Sequence, residues 1–313
     1  MSFPAAAGYR DIGSDTMGYI PVVESRKWLV KFFLRTVFGE ICNRDHEEEI
    51  KDYGNTVNIR QLPDFTVKTY RKGQSLDYEQ PSSTKVQLLI DKGRYWGFPT
   101  DAVDDKQTDM NDYTDQWGQV AMKQSQEAID LDVLGNVYSD ANASNKGATA
   151  GAISGDINLG VDGGVSVALT AADVVTKVLE CGQVLSEQNV PEEGRWMVIP
   201  EWMATLLFGS DVKAANLMGD DTSILRNGKI GVLRGFTFYR SNQLSTGADG
   251  SANTCTRILF GTNHAISFAT QITKNEHLIN PDTFGMLHRG LQVYGYKTVK
   301  DEALGVLFAY KGS

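Results

Sequence analysis

Apolar and polar positions change their rhythm several times along this chain, and each change marks a different kind of element. Over 25–41, Leu29, Phe33, Val37 and Ile41 recur every fourth residue, with Trp28 and Phe32 beside them. Ser25 stands where a cap would stand, and Arg26, Lys27, Lys31 and Arg35 fill the remaining positions. That spacing predicts an amphipathic helix with a basic face. Residues 1–25 keep no period and read as an arm that needs another surface to order it. Beyond the helix the rhythm shortens. Residues 56–59, 65–70, 86–90 and 94–98 are β-branched and aromatic and predict short strands. The stretch 72–84 between them is polar and holds Gly73 and Pro81. The whole of 55–98 therefore predicts a long β-hairpin with a loose tip and too few large apolar residues for its own core. A hairpin of that kind is marginal unless it lies on a surface.

The helical period returns from 108 to 141, where Trp117, Val120, Ala121, Gln124, Ala128, Leu131, Leu134 and Tyr138 form a narrow apolar stripe on one long, polar helix. Asp109, Asp112 and Asp115 stand at its start, where the helix dipole favours negative charge. The Gly/Ala/Ser-rich segment 142–167 reads as a mobile loop. A mixed unit follows. A helix is expected over 169–188, with Thr170 as its cap and Val174, Val178, Cys181 and Leu185 on one face. Trp196 to Ile199 reads as a buried strand ended by Pro200, followed by short helices over 201–208 and 212–218. Further strands are expected over 229–240, 257–260, 265–272, 284–298 and 304–310, with a glycine-rich loop at 243–253. No internal repeat is visible. The fold class is α+β.

Composition narrows the picture further. The chain has 313 residues, 41% hydrophobic and 22% charged, which is globular and more than one simple core holds. No apolar run nears the roughly 18 residues that cross a bilayer. Residues 1–8 lack a basic stretch leading into an apolar one, so synthesis and use in a cytoplasm are expected. Cys42, Cys181 and Cys255 are odd in number and never spaced as C-x-x-C, which argues for reduced, apolar thiols. The net charge of -9 is concentrated: residues 101–142 carry ten acids and two bases, whereas 56–98 carries seven bases and four acids. A basic hairpin thus precedes an acidic helix.

The search for chemistry finds little. Gly228-Lys229 is followed by Ile230, so there is no phosphate loop, and neither H-E-x-x-H nor G-x-S-x-G occurs. His46, His264, His277 and His288 are scattered, with no nucleophile beside them in sequence. The aspartates of the long helix read as a solvated or partner-facing surface rather than a metal site. No catalytic, cofactor or metal residue is assigned. A pI near 5.0 speaks against sequence-specific DNA reading and leaves only weak phosphate contact from the basic helix face.

The order of these parts resembles a known family. An arm, a core-less hairpin, one long polar helix and then a compact α/β unit is the layout of the tailed-bacteriophage major coat proteins of the Hong Kong 97-like fold, which encapsulins share. Local phrases are similar too: Asn43-Arg44-Asp45-His46-Glu47 running on to Asn55-Thr56-Val57-Asn58-Ile59; Trp196-Met197-Val198-Ile199-Pro200-Glu201-Trp202-Met203; Leu225-Arg226-Asn227-Gly228-Lys229-Ile230-Gly231; and Gly235-Phe236-Thr237-Phe238-Tyr239-Arg240.

The resemblance implies a capsid subunit that self-assembles as pentamers and hexamers around double-stranded DNA, made in the host cytoplasm and resident in the virion. It implies an arm at 1–25, a helix and connection at 26–54 and an extended loop at 55–98. A peripheral domain with the spine helix would cover 99–149 and 265–313, and an axial domain 150–264. Portal, scaffolding and decoration proteins would be partners, with non-specific DNA contact and no membrane. On this reading Lys68, Arg71 and Lys72 of one copy meet Asp104, Asp105 and Asp109 of the next. Arg26, Lys27, Lys31 and Arg35 face inward, toward scaffold or DNA. An encapsulin-like cargo shell is the alternative, and a monomeric α/β enzyme a distant one.

Overall fold

The computed structural model describes residues 31–48, 54–63, 65–83, 85–108, 113–210 and 233–312. A one-turn helix α1 (Phe38–Ile41) precedes the hairpin strands β1 (Thr56–Arg60) and β2 (Lys85–Leu89). Strand β3 (Lys92–Asp101) then leads into α2 (Ala102–Gln107) and the long α3 (Tyr113–Asn136). After β4 (Val167–Leu169) come α4 (Val174–Glu187), β5 (Arg195–Ile199), α5 (Glu201–Gly209) and β6 (Phe236–Arg240). Strands β7 (Thr246–Ala248), β8 (Thr254–Thr262), β9 (Ile266–Ile279), β10 (Gly285–Thr298) and β11 (Leu304–Lys311) complete the order.

The apolar run at Trp196 is unbroken because β5 is covered on both faces. It lies in a sheet of order β4-β11-β8-β5-β6, with β7 on β8. Trp196, Val198, Leu259, Val306 and Phe308 point to one side, against the C-terminal half of α3 and the segment around Phe38. Met197, Ile199, Ile258, Phe260, Leu307 and Ala309 point to the other, against α4 and α5. Val174, Val178, Cys181 and Leu185 all face that second layer, as the helical spacing predicts. Full burial of each such side chain contributes roughly 1.5–3 kcal/mol, so this double-faced sheet dominates stability. Within it, Arg195 is buried, and among the described residues its hydrogen bonds go to carbonyls and a hydroxyl. Its guanidinium donates to the carbonyls of Gly182, Val190 and Pro191 and to Ser186 Oγ, closing the C-terminal end of α4 where a cation suits the dipole.

A second, antiparallel sheet of order β3-β10-β9 lies beside the first half of α3. Only Ile129, Asp130, Val133 and Leu134 of α3 are buried, while Trp117 and Leu131 stay exposed. The predicted stripe is therefore displaced. The first half of the helix rides on the aromatic surface of the second sheet, through Phe98 and Trp117 at 5.6 Å between ring centroids, and does not enter a core. A separate short helix, α2, precedes it, and Asp101 caps α2 by accepting the Val103 N–H at 2.8 Å.

Three expectations change. Residues 31–37 are not helical, and of the amphipathic helix only α1 is seen; its start, with Ser25, Arg26 and Lys27, and the arm 1–25 lie outside the described residues. Carboxylates of α3 take the N–H groups of Leu34, Val37 and Phe38, which competes with helical bonding in a stretch rich in aromatic and β-branched residues. In the hairpin, 65–70 is not a strand, and β3 leaves the hairpin to pair with β10. The segment 142–167 is held at several points. Buried Asn145 donates to the carbonyls of Glu302 and Leu304, and Glu187 accepts from the backbone of Ile153 and Ser154. Those bonds hold the Glu187 carboxyl down at about 2. The helix at 212–218 and the phrase at 225–231 lie outside the described residues.

The hairpin base is anchored even though its tip has no core. Val57, Leu88 and Ile90 pack with Ala269, and Gln271 Nε2 donates to the Gly54 carbonyl at 2.7 Å. Gly295 of β10 allows this approach, because a Cβ there would lie 2.0 Å from the Leu89 carbonyl oxygen. Gly295→Ala should destabilise the chain by about 1–3 kcal/mol through forced displacement of the hairpin base. Gly93→Ala in the same sheet, whose Cβ would meet nothing nearer than 4.0 Å, should be near neutral. Equal urea midpoints for the two variants would refute the close-approach role of Gly295.

Candidate assembly surfaces

The hairpin tip is an apolar surface with nothing beneath it. Leu62, Phe65, Val67, Tyr70, Leu76 and Tyr78 are all exposed, Val67 at 97% and Leu62 at 94%. Among the described residues its two arms are tied by polar contacts, the Lys68–Asp77 ion pair at 2.7 Å and the Thr66 N–H to Glu79. A turn closes the end through Gln74 N–H to the Arg71 carbonyl, with Gly73 at φ +84°. Lys68 therefore spends its charge inside the loop, while Arg71 and Lys72 stand exposed at the turn. Large apolar patches of this kind mark contact sites.

A second surface lies around α2. Asp104 and Asp105 are exposed there, and Asp105 accepts from the Tyr113 hydroxyl, which pushes that phenol up to about 12. Asp109 lies outside the described residues. Beside Asp105 runs a groove of about 500 Å³ walled by Ile279, Phe284 and Met286 at the β9–β10 turn, with Ile279 80% and Phe284 89% exposed. The sequence reading missed this groove. Its one visible signal is a pair of apolar residues flanking Asn280-Pro281-Asp282-Thr283, a strong turn. Among the described residues, the hairpin bases and the α2 acids form no ion pair with each other within the chain.

The basic groups assigned to an inward face are only partly placed. Lys31 and Arg35 are exposed on the extended stretch before α1, not on a helix face, and Arg26 and Lys27 are outside the described residues. What secures that stretch is Asp130, wholly buried on α3. Its Oδ1 accepts from the N–H groups of Val37 and Phe38 at 3.1 and 2.8 Å. Burial pushes its carboxyl up to about 6, against the pull of the two N–H bonds. Arg44 reinforces the site from above the Phe38 and Phe268 rings. Two residues on, Asp132 accepts from Lys92 Nζ at 2.9 Å and from the Tyr294 hydroxyl at 3.0 Å, joining α3 to β3 and β10. Both acids belong to the charge run that the sequence suggested was solvated. Both instead hold the fold together.

Among the described residues, no group of three or more His, Cys, Asp or Glu side chains is placed to hold a metal ion, and no helix is long and apolar enough to cross a membrane. Cys42, Cys181 and Cys255 are buried, and burial pushes their thiols up, Cys42 to about 12. Such thiols are poor nucleophiles.

No protein-family model and no curated protein matches the sequence. The fold is nevertheless similar along almost its whole length to chains from phage structures. A chain from Mycobacterium phage Che8 is 27% identical, with a TM-score of 0.73 over 95% of this chain and 99% of that one. A chain from the capsid of the cyanophage P-SCSP1u gives 0.70 at 15% identity over 94% of each chain. A chain from the mature capsid of bacteriophage PhiM1 gives 0.70 at 13% identity, over 98% and 96%. The α+β architecture is that of phage capsid chains, as the Hong Kong 97-like resemblance implied.

The buried Asp130 makes a signed prediction. Its folded value of about 6 lies above its ordinary 3.8, so its stabilisation is present below that ordinary value and is lost as pH rises through about 6. Asp130→Asn keeps the group neutral throughout. Between about pH 4 and 7 the wild type should lose up to about 3 kcal/mol of unfolding free energy relative to that variant. Parallel pH profiles for the two proteins would disprove it.

Proposed function

We propose that this phage major capsid protein assembles as pentamers and hexamers of itself into an icosahedral shell around double-stranded DNA. The observation that carries the reading is the chain-long likeness to phage capsid chains. The exposed, core-less hairpin supports it, because such an element needs a neighbour to rest on. The role is structural, not enzymatic. An encapsulin-like cargo shell shares the architecture, and the phage likenesses favour the capsid reading over it.

The arm is 1–25, the connection 26–54, the extended loop 55–98, the peripheral domain 99–149 with 265–313, and the axial domain 150–264. In strand pairing, β3 lies beside β10, and β11 lies between β4 and β8. Portal, scaffolding and decoration proteins are the further partners. Arg26, Lys27, Lys31 and Arg35 supply non-specific contact with scaffold or packaged DNA. Assembly takes place in the host bacterial cytoplasm.

In the contact we propose, the hairpin of one copy lies over α2 and the neighbouring groove of the next. Lys68, Arg71 and Lys72 then approach Asp104, Asp105 and Asp109, while the loop's apolar side chains meet Ile279 and Phe284. Magnitudes assign the roles. An exposed ion pair contributes about 0–1 kcal/mol, whereas each large apolar side chain, if fully covered, contributes roughly 1.5–3 kcal/mol. Apolar contact holds the interface, and charge sets register and association rate.

Expressed alone, the chain should sediment as shells, tubes or free pentamers and hexamers; a stable monomer at every concentration would overturn the shell reading. The triple variant Lys68→Glu, Arg71→Glu, Lys72→Glu should melt like the wild type and assemble poorly. Normal shells from that variant would dispose of the charge-register contact and leave the capsid reading intact.

A further inference from the structure

Beneath the first turns of α3, two histidines on neighbouring strands meet nitrogen to nitrogen. His277 of β9 and His288 of β10 are cross-strand partners, with Nδ1 of one 2.7 Å from Nδ1 of the other. A contact that short needs one proton between the two nitrogens, so one ring donates and the other accepts. The surroundings say which. Thr100 Oγ1 donates to the Met286 carbonyl at 3.3 Å and therefore accepts from His288 Nε2, also at 3.3 Å. His288 then carries its proton on Nε2, and its bare Nδ1 accepts from His277 Nδ1–H. His288 is buried, whereas His277 is exposed.

We propose that the His277–His288 pair is a proton-operated latch between the peripheral sheet and the start of the long helix. With zero or one added proton the contact holds, because His277 still donates. When His288 Nδ1 is protonated as well, two N–H groups and two positive charges face each other at 2.7 Å and the contact must open. The movement has a route outward. The Phe98 ring stacks on His288 at 5.0 Å, Trp117 of α3 meets Phe98 edge-on at 5.6 Å, and Tyr113 meets Trp117 at 5.1 Å while bonding Asp105 of α2. Separating the imidazoles removes the ring on which this aromatic column stands.

Charged groups around the pair act in both directions. Burial and the His277 charge hold the His288 imidazole below the usual histidine range, and Asp105 on α2 and Asp115 on α3 oppose them more weakly. Beside His277 on β9, Glu276 is committed to Lys274 and Arg289. On β3, the neighbours Phe98 and Thr100 carry no charge. The latch is thus closed at neutral pH and opens on acidification below the usual histidine range. The folded His288 value is depressed, so its share of stability is present above the unfolded value and is lost as pH falls through the folded one.

Hydrogen–deuterium exchange of the full chain, in one fixed assembly state and corrected for intrinsic rates, tests this between about pH 7.5 and 5. Amides of β9, β10 and the first turns of α3 should exchange about tenfold faster at the acid end, while β5 and β8 stay unchanged. His277→Gln keeps a donor for His288 Nδ1 and offers an acceptor once that nitrogen is protonated, so it should melt normally and lose the acid-induced change. His277→Asn serves as the second variant should the first not fold. No acid-induced change in the wild type, or an unaltered one in a folded His277 variant, would overturn the proposal.

Discussion

Two aspartates on α3, two residues apart, hold the molecule in a single frame. Asp130 reaches one way to the backbone of Val37 and Phe38, and Asp132 reaches the other way to Lys92 and Tyr294. The helix between them has a thin apolar face, because only its second half enters a core. Packing alone would leave its direction loosely specified. A charged oxygen with two or more donors contributes more than a neutral hydrogen bond and demands a defined geometry. The N-terminal stretch, the helix and the β3-β10-β9 sheet consequently share one arrangement, and the hairpin base inherits it through β10.

Legibility in the sequence follows how many faces of each element are covered. Strand β5 is buried on both sides, so Trp196-Met197-Val198-Ile199 reads as a strand whatever its neighbours do. Helix α4 has one apolar face against that sheet, and its period is clean. Elements whose state depends on remote polar partners were not legible. Residues 31–37 carry a helical period, yet side chains about ninety positions away take their N–H groups. Nothing local distinguishes Asp130 from its solvated neighbours, because its burial depends on a segment that arrives from elsewhere in the chain. The same holds for the loop at 65–70, where β-prone residues have no partner strand among the described residues.

The hairpin shows how a subunit can be stable and still incomplete. Its base is fixed by Val57, Leu88, Ile90 and the backbone approach at Gly295, so the loop is delivered in a defined direction. Its tip keeps large apolar side chains in water, and among the described residues its arms are tied by one exposed ion pair, one hydrogen bond and a turn. A tip that built its own core would have nothing left to offer a neighbour. One with no base would lose more entropy on docking. Modest, repeated contacts of this sort suit a closed assembly, in which each copy must find its place before any contact becomes permanent.

Protons act on the frame and on the latch with opposite sign. Burial raises Asp130, so acidification favours the folded state by removing a buried charge. Burial lowers His288, so acidification disfavours the contact that supports the aromatic column under the first turns of α3. The physical cause is the same in both cases, since removal from water penalises whichever form is charged. The outcome differs because one group is an acid and the other a base. As pH falls, linkage through Asp130 favours the folded state, while linkage through His288 disfavours the contact beneath the first turns of α3.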